Sequence, residues 1–155
     1  MAWAVAAAVF ITDFFLKSYL RANFAYQSLP VLPNVFHITV TFNTGAAFGI
    51  LRDYTHFLIY AGIFFLAVFF YFIRQEKVKS LLFFAACGAI LGGALSNLAD
   101  RIVFGYVIDY LDFRIWPVFN LSDACISIGA GVLIFLQIRQ SRQKHHEQPD
   151  HSRSS

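Results

Sequence analysis

Four long apolar stretches, separated by shorter polar segments, dominate the pattern of this chain of 155 residues. A helix needs about 20 mostly apolar residues to cross the hydrocarbon core of a bilayer. Each stretch has about that length, and Asp13, Lys17 and Asp123 are the only Asp, Glu, Lys or Arg residues within them. The pattern therefore predicts four membrane-spanning helices, at about residues 2–20, 54–73, 80–99 and 119–138.

The first stretch is predicted to be an uncleaved span rather than a cleaved signal peptide. It lacks a basic region before its apolar core, and Asp13 and Lys17 interrupt that core. Four spans place both termini on one side of the membrane. Most basic residues flank the spans on that side, so the positive-inside rule assigns it to the cytoplasm. These basic residues are Arg74, Lys77, Lys79, Arg139, Arg142, Lys144 and Arg153.

The two connections on the opposite side have the pattern of β-structure. Apolar and polar residues alternate over 36–43, which is typical of a half-buried strand. A turn is expected at 43–45, and Gly49 adds a second point of backbone freedom. Residues 106–116 are again rich in β-branched and aromatic side chains. We expect these segments to form a small sheet against the outer membrane face.

The predicted fold class is an all-α membrane protein with four transmembrane helices and a small extracytoplasmic β-sheet. Residues 1–139 form one integral membrane domain, and residues 140–155 are expected to be a disordered, basic cytoplasmic tail. The histidines of that tail are interpreted as solvated side chains rather than metal ligands.

Composition agrees with a membrane protein. The chain is 58% apolar and 14% charged, whereas soluble domains carry about 25% charged residues. Its many aromatic residues exclude a disordered protein. The net charge of +3 comes from basic residues that form no stripe, so nucleic acid is not expected as a partner. Cys87 and Cys125 lie in apolar runs and are interpreted as packing residues rather than a disulfide.

The charges within the spans are the informative residues, because an unpaired charge inside a bilayer is costly. Asp13 and Lys17 are four residues apart and can neutralise each other on one helix face, as a structural pair or as an anchor at the interface. In the third span, small residues at i+4 spacing lead to Asn97, Asp100 and Arg101. Small residues allow close approach of helices in lipid.

Acidic residues before and within the fourth span suggest a chemistry. Asp109 and Asp112 precede this span, and Asp123 lies one turn inside it. Apolar surroundings raise the pKa of a carboxyl group, and two close carboxylates can share one proton. Such a pair can activate water for amide hydrolysis without metal or cofactor. Ordinary salt bridges to Arg101 and Arg114 explain the acids equally well at this point.

A non-enzymatic interpretation is also open. A four-span protein such as a small proton-coupled transporter subunit uses buried acids to carry protons. That function requires Asp13, Lys17 and Asp123 to line one continuous path across the membrane. The clustering of ionisable residues toward the outer side argues against it. The sequence contains no serine nucleophile motif, HExxH motif or phosphate-binding loop.

Five blocks of residues resemble lipoprotein signal peptidase, the bacterial signal peptidase II family. They cover about residues 10–135 in the family's order and spacing. The blocks are Asp13-x3-Lys17, Asn43-Thr-Gly45-Ala-Ala-Phe, Gly93-Ala-Leu-Ser-Asn97-Leu-Ala-Asp100-Arg101, Val107-Ile-Asp109-Tyr and Phe119-Asn120-Leu-Ser-Asp123-Ala.

The resemblance implies an intramembrane aspartyl endopeptidase of the bacterial inner membrane. Such enzymes remove signal peptides from diacylglyceryl-modified prolipoproteins at the lipobox cysteine and are targets of globomycin. Implied partners are lipidated prolipoproteins and membrane lipids, with no metal or cofactor. The implied enzyme is a monomer with its active site toward the periplasmic face.

The resemblance also implies roles for individual residues. Asp109 and Asp123 correspond to the catalytic pair. Positions that bind substrate or support the pair correspond to Asn43, Asn97, Arg101 and Asn120. Structural or lipid-facing positions correspond to Asp13, Lys17, Gly45, Gly93 and Asp100. Ser122 departs from the family, in which alanine is usual, and its hydroxyl is expected to form a hydrogen bond near the aspartate pair.

Overall fold

The computed structural model describes residues 1–45, 54–76 and 80–147. Gly49, Lys77, Lys79 and residues 148–155 lie outside these ranges. The described helices are long and apolar enough to cross a membrane, and a three-stranded antiparallel sheet accompanies them, which confirms the predicted fold class. The elements are α1 (Ala2–Phe24), β1 (Ser28–Leu32), β2 (Phe36–Asn43), α2 (Thr55–Gln75), α3 (Leu81–Phe104), β3 (Val107–Asp112) and α4 (Leu121–Glu147).

The helices extend beyond the predicted spans because apolar length marks the bilayer core and not the end of the backbone hydrogen bonding. The Ser80 hydroxyl caps the start of α3 by accepting a hydrogen bond from the Phe83 N–H. The other end of α3 reaches Phe104, where Gly105 adopts a left-handed conformation and donates to the Arg101 carbonyl. This last polar turn carries Asp100 and Arg101 into the site.

The start of the predicted disordered tail is helical, so that prediction is wrong for residues 140–147. Helix α4 continues without a break to Glu147. Adding a residue to an existing helix requires no new nucleation. Most side chains of this segment favour helices, and neither glycine nor proline occurs before Pro149.

Helix α3 is the centre of the bundle. It packs against α1 on one side and α4 on the other, while α2 packs against α3 and has no buried residue. A Cβ atom at Gly92 would collide with the Ala6 carbonyl of α1, and one at Gly93 would lie 2.6 Å from the Ser122 carbonyl of α4. The predicted small-residue stripe therefore sets the close approach of both neighbouring helices.

The sheet lies at one end of the bundle and has the strand order β1-β2-β3. Its apolar face packs on the end of α1 through Leu20, Val40, Ile108 and Tyr110. The alternation predicted over 36–43 is confirmed, since Ile38, Val40 and Phe42 share this face. Pairing of β2 with β3 places Thr41 opposite Asp109.

Two details of the sheet were not predicted. Strand β1 was missed because it contains Pro30 and has no alternation of apolar and polar residues. The β-rich run 106–116 forms a strand only to Asp112. The chain then turns at Arg114, which has a φ of 66° and donates its N–H to the Asp112 carboxylate.

Candidate active site

A cleft of about 930 Å³ lies where the sheet meets the polar ends of α3 and α4. Polar side chains from four separate parts of the chain reach it, among them both aspartates of the predicted pair. The walls are mostly apolar. The polar lining includes Thr41, Asn43, Asn97, Arg101, Asp109, Asp123 and Ser127, and the apolar walls include Phe113, Ile115, Trp116, Val118, Phe119 and Ile128.

Strand β3 carries Asp109 into the cleft as a buried carboxyl group. Its Oδ1 accepts a hydrogen bond of 2.7 Å from Asn120 Nδ2, and its Oδ2 accepts one of 2.9 Å from Asn43 Nδ2. Burial raises the pKa of Asp109 to about 7, and the neighbouring negative charge of Asp123 adds to the rise. The two amide hydrogen bonds oppose the rise only in part.

The first turn of α4 holds Asp123 through its own helix cap. The Asn120 side-chain oxygen accepts from the Asp123 N–H at 2.9 Å, and Asp123 Oδ2 accepts from the Asn120 N–H at 3.2 Å. This reciprocal pattern is a capping box. The other carboxylate oxygen of Asp123, Oδ1, accepts a hydrogen bond from Asn97 Nδ2 at 2.7 Å. The side chain of Asp123 is therefore held from both α3 and α4.

Two asparagine side chains connect the aspartates. Asn120 is fully buried, and its Nδ2 contacts Asp109 Oδ1 and, at 3.1 Å, Asn97 Oδ1. Asn97 in turn donates to Asp123. This chain of amides joins the two carboxylates without an ion pair to either, within the residues that the structure describes. The salt-bridge explanation therefore does not account for Asp109 or Asp123 there.

Arg101 lies beside the aspartates and holds a turn. Its guanidinium donates to the Gly45 carbonyl at 3.0 Å and to the Asn97 carbonyl at 3.4 Å. The Gly45 N–H donates to Asn43 Oδ1 at 2.9 Å, which orients the Asn43 amide toward Asp109. The predicted turn at 43–45 is thus tied to α3. Arg101 Nε is buried and has no hydrogen-bond partner among the described residues.

A buried ion cluster lies directly behind the cleft. Asp13 and Lys17 have exposures of 0% and 1% and are joined at 2.7 Å. Lys17 also contacts Asp100 at 2.9 Å and Asn97 Oδ1 at 2.9 Å. Asp100 accepts from the Ile108 N–H, which ties α3 to the start of β3. The three charged residues of the cluster are buried and do not line the cleft, so the cluster lies behind the site and contacts it through Asn97.

Asp112 and Ser122 both lie outside the aspartate pair, and for Asp112 the salt-bridge alternative is confirmed. Asp112 forms a 2.9 Å ion pair with Arg114. Burial opposes ionisation of Asp112, but hydrogen bonds from Thr39 and Arg114 and the Arg114 charge outweigh it and hold its pKa below the usual range. The Ser122 hydroxyl does not contact the aspartate pair and instead donates to Asp13 Oδ2 at 2.6 Å. The hydrogen bond expected near the aspartate pair is thus formed with the buried cluster behind the cleft, because Ser122 does not line the cleft.

Three residues in the site were missed from the sequence. The Ser96 hydroxyl donates to Asp13, and Tyr110 joins Asp13 to the first turn of α4. Trp116 lines the cleft. Ser96 and Tyr110 each lie next to a predicted site residue, which is the only sequence signal that points to them.

Comparison with known proteins supplies independent information. The family model described as Signal peptidase (SPase) II matches residues 5–139. A lipoprotein signal peptidase of Halothermothrix orenii is 48% identical over 119 residues, or 75% of this chain and 79% of that protein. One of Desulfitobacterium hafniense is 41% identical over 148 residues, or 92% of this chain and 95% of that protein.

A solved structure supports the fold comparison. It is a bacterial membrane enzyme determined by the in meso method at 2.3 Å resolution. It superposes with a TM-score of 0.85 and 29% identity, covering 95% of this chain and 93% of that one.

Proposed function

The chain belongs to the signal peptidase II family, and we propose on this basis that it is an intramembrane aspartyl endopeptidase. Its reaction is removal of signal peptides from diacylglyceryl-modified prolipoproteins at the lipobox cysteine. One observation carries the proposal: Asp109 and Asp123 line one cleft at the end of four apolar helices and are joined by two buried amides.

The aspartates act as a general acid and a general base. One takes a proton from water as the water oxygen attacks the scissile carbonyl carbon. The other protonates the carbonyl oxygen, which gives a gem-diol. As the diol collapses, the first aspartate gives its proton to the leaving amine and the second takes a proton back from a diol hydroxyl. A pKa of about 7 for Asp109 supports a pair that shares one proton near neutral pH. General acid–base assistance contributes about 10²–10⁴-fold, so substrate positioning supplies much of the remaining acceleration.

Four polar residues support this pair. The contacts of Asn43, Asn97 and Asn120 with the carboxylates support a role in orienting them. The Nε of Arg101 is buried and has no partner in the part of the chain that the structure describes, which supports a role in binding a substrate carbonyl at the cleft. The structural role falls to the residues that hold helices and turns together behind them: Asp13, Lys17, Gly45, Gly93 and Asp100.

The cleft suits a substrate that is both peptide and lipid. Its volume is about 930 Å³, at the upper end of the range of about 300–1,000 Å³ typical of ligand sites. Aromatic and aliphatic walls such as Trp116 and Ile128 favour apolar side chains and acyl chains, while the polar residues meet the scissile amide. Lipidated prolipoproteins and membrane lipids are therefore the proposed partners, and the enzyme acts as a monomer.

Orientation follows from the basic residues. Arg74 ends α2, and Arg139 and Arg142 lie in the last part of α4, at the end of the bundle opposite the cleft. The positive-inside rule assigns that end, with both termini, to the cytoplasm. The cleft then faces the periplasm from a bacterial inner membrane.

A proton-carrying function receives no support from the site. It requires Asp13, Lys17 and Asp123 along one path through the membrane. Asp13 and Lys17 instead form a closed cluster with exposures of 0% and 1% at the same end of the bundle as Asp123.

Cleavage of a lipidated substrate tests the function. The purified protein in detergent receives a prolipoprotein with or without prior diacylglyceryl modification, and cleavage is followed by gel shift. Asp109→Asn and Asp123→Asn are each expected to abolish cleavage and to leave a monodisperse protein. Substantial turnover by either variant would contradict the assignment of the pair.

Asp112→Asn is the matched control. It changes an equally buried aspartate on the same strand as Asp109, but one that is held in an ion pair outside the cleft. This variant is expected to keep cleavage of the lipidated substrate. Absence of cleavage by the monodisperse wild-type protein would contradict the proposed function itself.

A further inference from the structure

A second cavity lies between α2 and α4, at the end of the bundle opposite the cleft. Its volume is about 350 Å³. One face of each helix lines it, through residues 69, 72, 73 and 76 of α2 and residues 133, 136, 137 and 140 of α4. Ser80 and Phe83, at the start of α3, complete this part of the lining. We call this cavity the α2–α4 groove.

The groove is open because α2 packs loosely. Helix α2 has no buried residue; it packs against α3 and makes no extensive contact with α4. Phe72 of α2 and Leu136 of α4 therefore line a gap between the two helices. Both residues lie within helices that are long and apolar enough to cross a membrane. In a bilayer, such a gap is surrounded by acyl chains rather than by water.

Two opposite charges lie at the polar end of the groove. Glu76 directly follows α2, and Arg139 lies on α4; both side chains are exposed and line the groove. Neither forms an ion pair in the part of the chain that the structure describes. The carboxylate and the guanidinium are therefore separate, and each can bind a charged group of a ligand.

This arrangement matches a zwitterionic phospholipid. An acyl chain suits the apolar walls, while the phosphate and the ammonium of the headgroup are complementary to Arg139 and Glu76. A guanidinium binds phosphate through two parallel hydrogen bonds, and a primary ammonium donates hydrogen bonds to a carboxylate. An anionic headgroup without an amine leaves Glu76 unpaired beside a negative charge. A quaternary ammonium has no N–H to donate.

We propose that the α2–α4 groove binds one phospholipid with a primary amine, such as phosphatidylethanolamine. Its acyl chain lies along Phe72 and Leu136, its phosphate binds Arg139 and its ammonium binds Glu76. The lipid fills the gap between α2 and α4. The site is separate from the cleft, so the inference does not depend on the proposed peptidase function.

Lipid binding to the delipidated protein in detergent tests the site. Native mass spectrometry gives the Kd of the first bound lipid, with dioleoyl phosphatidylethanolamine, phosphatidylcholine and phosphatidylglycerol added one at a time. The wild type is expected to bind phosphatidylethanolamine about tenfold more tightly than the other two, because each of them lacks the charge-assisted hydrogen bond to Glu76. Glu76→Gln is expected to remove the preference over phosphatidylcholine. Arg139→Gln is expected to weaken binding of phosphatidylethanolamine about tenfold.

Arg142→Gln and Arg74→Gln are the matched controls, since each removes an exposed arginine at the same end of the bundle. Arg142 lies about one turn beyond Arg139 and does not line the groove, and Arg74 lies over the Phe70 ring. Both variants are expected to keep the wild-type Kd and the wild-type preference among the three lipids. Arg139→Lys keeps a cation for the phosphate and is expected to retain most of the affinity.

Equal Kd values for the three lipids would mean that lipid surrounds the helices without a specific site, and would overturn the inference. A preference for phosphatidylglycerol would overturn it too, as would a preference for phosphatidylethanolamine that survives in both Glu76→Gln and Arg139→Gln. A dimer without bound lipid would identify a second copy as the occupant and would also overturn it. The measurement needs no peptidase activity, so an inactive protein would contradict the proposed function and not the lipid site.

Discussion

The raised pKa of Asp109, the aspartate proposed as catalytic, predicts that ionisation of this residue destabilises the folded protein at neutral pH. The folded-state pKa is about 7, against an ordinary value of 3.8. The folded protein therefore binds this proton more tightly than the unfolded chain does. The stabilisation is complete below about pH 4 and is lost as the pH rises to 7, at about 1.4 kcal/mol per pH unit.

Replacement of Asp109 by asparagine removes this pH dependence. The variant also loses the carboxylate acceptors for the Asn43 and Asn120 amides, which lowers its unfolding free energy by an amount that does not vary with pH. The unfolding free energy of Asp109→Asn minus that of the wild type is therefore expected to rise between pH 5 and pH 7. Between pH 5 and pH 7 the rise is about 2 kcal/mol, because the slope flattens as Asp109 ionises, and the difference is nearly level above pH 7.5.

Unfolding of both proteins in the same detergent micelles, measured from pH 5 to pH 8, checks this value. The difference between variant and wild type cancels the titrating groups that do not interact with Asp109. Asp112→Asn serves as the control with the opposite sign, because the pKa of Asp112 is lowered. Its stabilising effect is present above the unfolded-state pKa and is lost only as the pH falls below about 4. The unfolding free energy of Asp112→Asn should therefore lie below that of the wild type by a constant amount from pH 5 to pH 8.

A difference between Asp109→Asn and wild type that stays flat across this range would refute the reasoning. It would mean that Asp109 is ionised at pH 5 in the folded protein, and that burial does not outweigh its two amide hydrogen bonds. A rise centred well above pH 7 would leave the sign intact and place the pKa higher.

Three further perturbations test the framework of the site. Lys17→Met leaves two buried carboxylates without their cation and should cost about 3–5 kcal/mol of unfolding free energy in detergent; a cost below about 1 kcal/mol would contradict the ion cluster. Gly93→Ala forces α3 away from α4 and should lower the unfolding free energy by about 1–3 kcal/mol. The added methyl group of Gly131→Ala meets nothing within 4 Å, so this control should raise the unfolding free energy by about 0.5–1 kcal/mol. Equal effects of the two variants would contradict the close packing at Gly93. Asn43→Ala removes a hydrogen bond that lowers the pKa of Asp109. The pH at which the unfolding free energy levels off should therefore rise by about one pH unit, and an unchanged pH dependence would contradict that bond.

The helices could be predicted from sequence because their cause is local. About 20 apolar residues in succession can satisfy their backbone groups in lipid only as a helix, so composition alone identifies each span. The alternation over 36–43 identified β2 for a similar reason. Strand β1 was missed because it forms by pairing with β2, and pairing partners are not encoded within a five-residue segment.

For the polar residues, too, the sequence determined the general location and not the individual contacts. The sequence by itself determined that Asp13, Lys17, Asp100, Asp109 and Asp123 lie near one end of an apolar bundle, because a bilayer excludes charges that lack a partner or a function. The family blocks singled out the two aspartates of the cleft. The blocks also separated residues that support the pair from structural residues, but neither source gave the contacts that each side chain makes.

Only the tertiary structure decided which hydroxyls and amides meet which carboxylate. Asp112 and Asp109 lie three residues apart on one strand, yet one forms an ion pair with Arg114 and the other lies in the cleft. Ser122 reaches Asp13, 109 residues away in sequence, rather than its neighbour Asp123. The physical reason is that a hydrogen bond depends on distances of about 3 Å between atoms of different elements, and these distances are set by how the helices pack.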